Sequence, residues 1–432
     1  MLFHSTWPLM VLVILLVQAT LIMGALRTHQ AHPRKLERKK VSPWSDWFRS
    51  FDQESTPSSS APTSPPPQTT KPTSAPPKVS SPLPAPVTNK PSTPPKQSTL
   101  PTNNSSPTSP ASSAKPSSNS PSSDAGKCSV IRVRKEWRKL SREEQIDYIS
   151  AVKCLAKKPS KLMPGGIYRR YDDFENVHSR MRSKIHWIAC FLPWHRYFMF
   201  LWEKALREEC DYKGSLPRWD WTLDSDDMTQ APIWSDDPQT GFGTNGQDFT
   251  KDPVGLGGGA VEDGAFANLQ LYYPEQHILE RNYNLPTSYE QDGRTWGSQF
   301  FDHKAMSQIQ SQPNYAAFAV GLEGVDPNKE VSNHAGPHAI IHVIIGGDIS
   351  PTAYAANEPL FYLHHANVDY HWWKWQSAKD SRLREYSGIT TRGSSVRNAK
   401  LTDILGFLKL AQDPMVADVM DTTAYPYCYK YE

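Results

Sequence analysis

The sequence predicts a mainly α-helical fold: a helical bundle with long loops and few short strands. Three observations predict it. Apolar residues recur at helical spacing behind a capping signal, prolines stand at the heads of three apolar stretches, and the Gly/Asp/Pro-rich tract from Pro232 to Gly264 reads as a long loop rather than a strand.

The elements follow in chain order. Residues 1–26 carry no Asp, Glu, Lys or Arg, and Trp7 to Leu26 is an apolar run broken only by Gln18 and Thr20. That length spans a bilayer and also suits a signal peptide, so the segment is expected to be one or the other. Six basic residues between Arg27 and Lys40 favour a cytoplasmic flank. The next tract points the other way. Nineteen of the 38 prolines fall between Pro57 and Pro121, with no Phe, Trp or Tyr among them, and Asn103-Asn104-Ser105-Ser106 holds two overlapping N-glycosylation sequons. Such a tract cannot bury enough apolar surface to offset chain entropy. Residues 27–126 are therefore expected to be a basic flank and a disordered, glycosylated stalk, and the secretory pathway, secreted or membrane-anchored, is the expected address.

Residues 127–432 are long enough for one large core. Ser141-Arg-Glu-Glu144 reads as a capping box, with Ile146, Ile149, Val152 and Leu155 behind it. Pro193 opens a helix through Leu206, and Pro337 and Pro359 open two more in the same way. A net charge of +3, with both signs mixed through the folded part, argues against nucleic acid as a partner. No repeat of 20–50 residues is present. The five cysteines include no CxxC pair, and an odd number leaves one thiol over. In an oxidising compartment, Cys128–Cys154 is the first bridge expected.

Nine of the 14 histidines occupy two windows: His178, His186 and His195, then His334, His338, His342, His364, His365 and His371. A lone His is usually a core or surface residue, but crowded neutral imidazoles need something to satisfy their ring nitrogens. A metal does so. His338 and His342 lie four apart, on one helical face. Pro337 in the first helical turn leaves His334 outside the helix. His186 and His195, nine apart, would face opposite ways on one helix, so a break must separate them, and Pro193 supplies it. The second histidine window has Ala339, Ile340 and Ile341 where a helical zinc protease needs Glu. Glu175-x-x-His178 is the one Glu-x-x-His motif, where a di-iron bundle needs two. No Cys stands among these histidines, against blue copper. Two groups of imidazoles without carboxylate or thiolate suit a pair of copper ions that bind oxygen; zinc is the rival on ligand type alone.

The segment Tyr171-Asp-Asp-Phe-Glu-Asn-Val-His178, then His186 and Phe191-Leu-Pro-Trp-His-Arg196, resembles the first copper-binding region of tyrosinases, fungal ones especially. Pro217-Arg-Trp-Asp-Trp-Thr-Leu-Asp224 is similar to the segment that follows it in the family. His338-Ala-Ile-Ile-His-Val-Ile-Ile-Gly-Gly347 and Glu358-Pro-Leu-Phe-Tyr-Leu-His-His-Ala-Asn-Val-Asp369 resemble the second region, and Tyr427-Cys-Tyr429 the closing Tyr-x-Tyr. The likeness runs from about Cys128 to Tyr429.

This resemblance implies that His178, His186 and His195 hold one copper ion and His338, His342 and His365 the other, with His364 adjacent but not coordinating. It implies that Asp369, one turn beyond His365, orients a ligand imidazole. Arg196 reads as a structural ion-pair partner, and Trp194, Trp202, Trp372 and Trp375 as bundle packing. The implied activity is a copper-dependent oxidoreductase that uses O2 to turn phenols or o-diphenols into o-quinones in secondary metabolism or pigment formation, on a small phenol or on Tyr residues of a peptide precursor. A haemocyanin-like, non-catalytic O2-binding protein is the alternative.

Three departures from the family pattern matter. Ala339 stands where many tyrosinases have an Asn that helps deprotonate a monophenol, which weighs against monooxygenase activity. Glu323 and Glu330 both lie upstream as candidates to hold a helper water, and spacing does not choose between them. Lys184 occupies the place of the Cys that forms a thioether in some fungal members. Only 67 residues follow His365, too few for the lid domain of long latent members.

Overall fold

In the computed structural model, the described residues are 126–248, 256–283, 294–295, 297–324 and 336–432. The apolar run at 7–26, the stalk and its sequons, Glu330 and His334 lie outside them. Among the described residues no helix is long and apolar enough to cross a membrane.

Seven α-helices carry the structure among these residues: α1 (Arg142–Leu155), α2 (Arg170–Met181), α3 (Phe191–Cys210), α4 (His303–Gln310), α5 (Tyr315–Glu323), α6 (Pro337–Ile345) and α7 (Leu360–Ser377). Strands are short, of two or three residues each. β1 (Arg132–Arg134) pairs in parallel with β6 (Tyr429–Tyr431), Arg132 opposite Tyr429; β2 (Gly259–Ala260) pairs with β5 (Glu280–Arg281) and β3 (Gln270–Leu271) with β4 (His277–Ile278), both antiparallel. The expected fold class is the observed one.

Local chemistry explains where the helices begin. Ser141 Oγ accepts from the Glu144 amide while Glu144 Oε2 accepts from the Ser141 amide, so α1 starts with the expected reciprocal cap, worth about 1 kcal/mol. Pro337 is the first residue of α6, as expected. Pro359 is the residue just before α7, one place earlier than the first position. α3 starts at Phe191, two residues before Pro193. Proline fits there because the amides of the first turn have no partner within the helix. Among the described residues of the 232–264 tract there are one 3-10 turn, Pro232–Trp234, and the two-residue β2, joined by irregular backbone.

The core forms where α3 crosses α7. Trp202 stacks on Tyr362 with ring centroids 3.5 Å apart and planes 6° from parallel. Trp194 stacks on Phe407 at 4.9 Å, and Trp372 and Trp375 are fully buried, so the four tryptophans do pack the bundle. Arg196 spreads over the face of Trp372, 3.5 Å from its centroid. Every residue of α7 from Leu360 to Asp369 is buried, so the polar ones among them must find partners inside the protein.

The expected Cys128–Cys154 bridge does not form. Cys128 pairs with Cys428, tying β1 to the chain end beside β6, and Cys154 pairs with Cys210, tying the end of α1 to the end of α3. The pairing follows tertiary proximity, which sequence separation does not encode. Cys190 is the thiol left over.

Candidate dinuclear metal centre

Helix α2 delivers His178 from its last turn. Its start is set by acid: Asp172 accepts from the Arg169 amide at 2.6 Å, and Asp172 and Asp173 sit at the positive end of the helix. After Met181 the chain tightens into a 3-10 turn, Arg182–Lys184, and His186 follows in irregular backbone before α3 resumes. The break expected between His186 and His195 is therefore present. It lies N-terminal to α3, not at Pro193.

His195 sits in the first turns of α3, His338 and His342 lie one turn apart on α6, and His364 and His365 lie in α7. All seven rings are buried. One nitrogen from each of His178, His186 and His195 lies within 4.8 Å of the others, and the same holds for His338, His342, His364 and His365. The two groups touch. The His195 and His365 rings stack at 4.4 Å, and His186 stacks on His338 at 5.8 Å.

His364 is thus part of the second cluster, closer to it than mere adjacency required. The two α7 imidazoles point differently, however. His365 meets His195 of the first group, whereas the remaining ring neighbour of His364, beyond its own cluster, is Trp221 at 6.5 Å. His371 is buried but lies against Trp221 and Tyr370, apart from the clusters.

Hydrogen bonds fix three of the tautomers. His186 Nδ1 lies 2.8 Å from Arg182 O, His195 Nδ1 2.8 Å from Phe191 O, and His342 Nδ1 2.6 Å from Ile349 O. A carbonyl only accepts, so each Nδ1 carries the proton and each Nε2 presents a lone pair. The loop that brings Ile349 back requires α6 to stop abruptly. It does so at Gly346 and Gly347, both at positive φ, and a Cβ on Gly347 would lie 2.2 Å from Glu280 O.

Among the described residues, no hydrogen bond satisfies Nε2 of His195 or His342, or either ring nitrogen of His338 and His365. Buried polar atoms left this way are costly unless a ligand takes them up. Burial, reinforced by neighbouring imidazoles, holds His178, His195, His338 and His365 well below the usual histidine range, and holds His186 to about 3 and His342 to about 4, chiefly through burial. The rings are neutral at pH 7, the state a metal ligand needs. Phe191 and Phe361 wall the space, 4.7 Å from His338 and 4.2 Å from His365. A buried cage of neutral imidazole donors, with no thiolate among them, fits a pair of copper ions.

Asp369 departs from expectation. Instead of orienting an imidazole, its carboxylate accepts from Arg196 Nε at 2.6 Å, from the Tyr429 and Tyr431 hydroxyls at 2.6 and 2.7 Å, and lies 3.4 Å from Arg134. Burial alone would raise its pKa, but the two guanidiniums hold it below the usual carboxylate range. Arg196 is the structural ion-pair partner it was read to be. The reason is position along the helix: one turn beyond His365 and on the same face of α7, Asp369 meets Arg196 of α3 in the α3–α7 seam rather than the cage.

Of the two upstream acids, Glu323 is the one among the described residues, and it reaches the backbone beside His186. It is buried, and Oε1 accepts from the backbone N–H of Trp187, the residue after His186, at 2.7 Å. Trp187 holds φ +55°, rare for a bulky side chain. The sequence offered Glu323 only as a water holder; its grip on this amide is a contact across 136 residues.

Residues 168–378 match the family model described as the common central domain of tyrosinase. The chain is 38% identical over 333 residues to Tyrosinase-like protein phomQ1' of Diaporthe leptostromiformis, covering 71% of this chain and 81% of that one. It is 31% identical over 350 residues to N-acetyl-6-hydroxytryptophan oxidase ivoB of Emericella nidulans, covering 72% and 95%. Among solved structures, a mutant form of the polyphenol oxidase from Thermothelomyces thermophila superposes with a TM-score of 0.58 at 28% identity, over 70% of this chain and 89% of that one.

Proposed function

The chain belongs to the tyrosinase family of dinuclear copper oxidoreductases, and we propose that it oxidises o-diphenols to o-quinones with O2, with residues 127–432 as the catalytic domain. His178, His186 and His195 would hold one copper ion, and His338, His342 and His365 the other. The observation that carries this reading is the meeting of two groups of neutral, buried imidazoles, in which Nε2 of His195 and His342 and both nitrogens of His338 and His365 have no hydrogen-bond partner among the described residues. His365 rather than His364 completes the second set because it is the α7 ring that faces the first group.

When bound, copper supplies the route by which two diphenols lose four electrons and four protons to one O2, giving two quinones and two waters. The chain's own residues do the rest. Carbonyls of Arg182, Phe191 and Ile349 hold three rings in the donor tautomer, Phe191 and Phe361 keep water out, and Glu323 fixes the loop that presents His186. Ala339, buried beside His338, has no side-chain acceptor for a phenolic proton, which favours diphenol oxidation over monophenol hydroxylation. The name of the Emericella relative states an oxidation of a hydroxylated aromatic amino acid; a phenolic substrate of secondary metabolism or pigment formation fits this chain equally. Two disulfides suit entry into the secretory pathway.

The test is metal analysis of the full chain together with oxygen uptake on catechol, tyrosine and a Tyr peptide. Two coppers per chain and uptake with catechol are expected. A single zinc, or copper-loaded protein that consumes no oxygen with any of the three, would overturn the reading.

A further inference from the structure

Beside the imidazole cage lies a cavity of about 320 Å3 that the proposed chemistry does not use. Its inner wall is Trp187, whose indole packs against the His186 ring with centroids 6.0 Å apart. Ala319, Val320 and Ile389 line it with apolar surface, Ser394 adds a hydroxyl, and Arg397 stands at the opening. The volume falls within the range of small-molecule sites. Glu323 also lines the cavity, but its Oε1 is engaged by the Trp187 amide.

Two features show what the cavity accepts. The apolar wall continues outward: Val320, which lines the cavity, is 53% exposed. A bare catechol ring would leave this rim in water. Arg397 is exposed and makes no ion pair among the described residues, so its guanidinium is free to meet an anion. Guanidinium favours planar, bidentate partners, a carboxylate above all.

We propose that this cavity is a specificity subsite for the part of the substrate remote from the oxidised ring, and that it selects phenols carrying an apolar arm that ends in a carboxylate, with Arg397 pairing the carboxylate. The proposal rests on the oxidase reading for its connection to catalysis. Apolar contact along Trp187 and Val320 would hold the arm, and the charge at the rim would set its direction. Because Arg397 is exposed, the gain from the ion pair is modest and weakens with salt.

An isosteric pair of substrates tests this: 3-(3,4-dihydroxyphenyl)propanoate and the corresponding primary amide, assayed on the copper-loaded full chain. The ratio of kcat/KM, acid over amide, is expected to favour the acid at low salt. It should fall about fivefold in Arg397→Ala, fall further in Arg397→Glu, and recover largely in Arg397→Lys. Ala319→Phe, which fills the cavity, should raise KM for both arms more than for catechol. A ratio unchanged within twofold in Arg397→Glu overturns the proposal. Equilibrium binding of 3-phenylpropanoate, read by calorimetry, separates the two readings. If neither diphenol is oxidised but this acid binds in an Arg397-dependent way, the subsite stands and the oxidase reading fails. If catechol is oxidised and the acid binds no better than its amide, the subsite fails alone.

Discussion

Arg196 Nε donates to Asp369 Oδ1 at 2.6 Å in the seam between α3 and α7, with both side chains buried. Arg196 follows His195 and Asp369 lies one turn beyond His365, so this pair locks the relative register of the two helices whose imidazoles stack at 4.4 Å. Arg134 and the Tyr429 and Tyr431 hydroxyls complete the carboxylate's partners. The closing strand β6 is thus fastened to the same point.

Removing the charge at that point strands the buried guanidiniums. Asp369→Asn is expected to lower unfolding free energy by about 3–5 kcal/mol, the cost of breaking a buried pair from one side. Urea unfolding of the full chain measures it. A loss below about 1 kcal/mol would mean the pair behaves like a surface one.

Glu323 is expected to act through Trp187. Glu323→Ala leaves a buried amide unpaired next to His186 and should cost about 1–3 kcal/mol of stability. It should also speed loss of one copper of the two under a chelator. Glu323→Gln keeps an oxygen acceptor and should restore most of both. Equal copper retention in Glu323→Ala and the parent chain would show that the contact does not position the loop.

A pH effect follows from His277. Burial opposes its charge, but the Asp348 carboxylate 2.7 Å away prevails, and its pKa is pushed up to about 9. The folded value exceeds the unfolded one of about 6.5, so this contribution is fully present below pH 6.5 and is lost as pH rises through 9. Its full size is on the order of 3 kcal/mol. Melting temperature should fall between about pH 7 and 10, and His277→Gln should flatten that part of the profile. An identical slope in the variant contradicts it.

The neighbouring histidines of α7 are predicted to differ. His365→Ala should retain one copper per chain and lose oxygen uptake, while His364→Ala should retain two. Metal analysis of the two variants decides, and the reverse pattern would reassign the ligand.

Much of the centre was legible in the chain because its signals are local. The reciprocal Ser141–Glu144 cap, Pro337 heading α6 and the four-residue spacing of His338 and His342 each involve residues within one helical turn, and all appear as read. Expectations that needed a distant partner were less secure. Asp369 has the spacing of a helper to His365 and the neighbourhood of an ion-pair anchor, and only the crossing of α3 over α7 reveals which applies. Cys128 joins Cys428 across 300 positions because β1 lies beside β6.

By itself, the sequence singled out the candidate metal-binding side chains, all of them imidazoles, and required a break between His186 and His195. Tertiary structure decided which of the two α7 rings faces the first group, where the Asp369 carboxylate goes, and that Glu323 reaches Trp187. The division is physical. Backbone periodicity and capping are governed by atoms a few bonds apart, whereas partner choice in a buried seam is set by which surfaces pack together, and every residue in the core contributes to that.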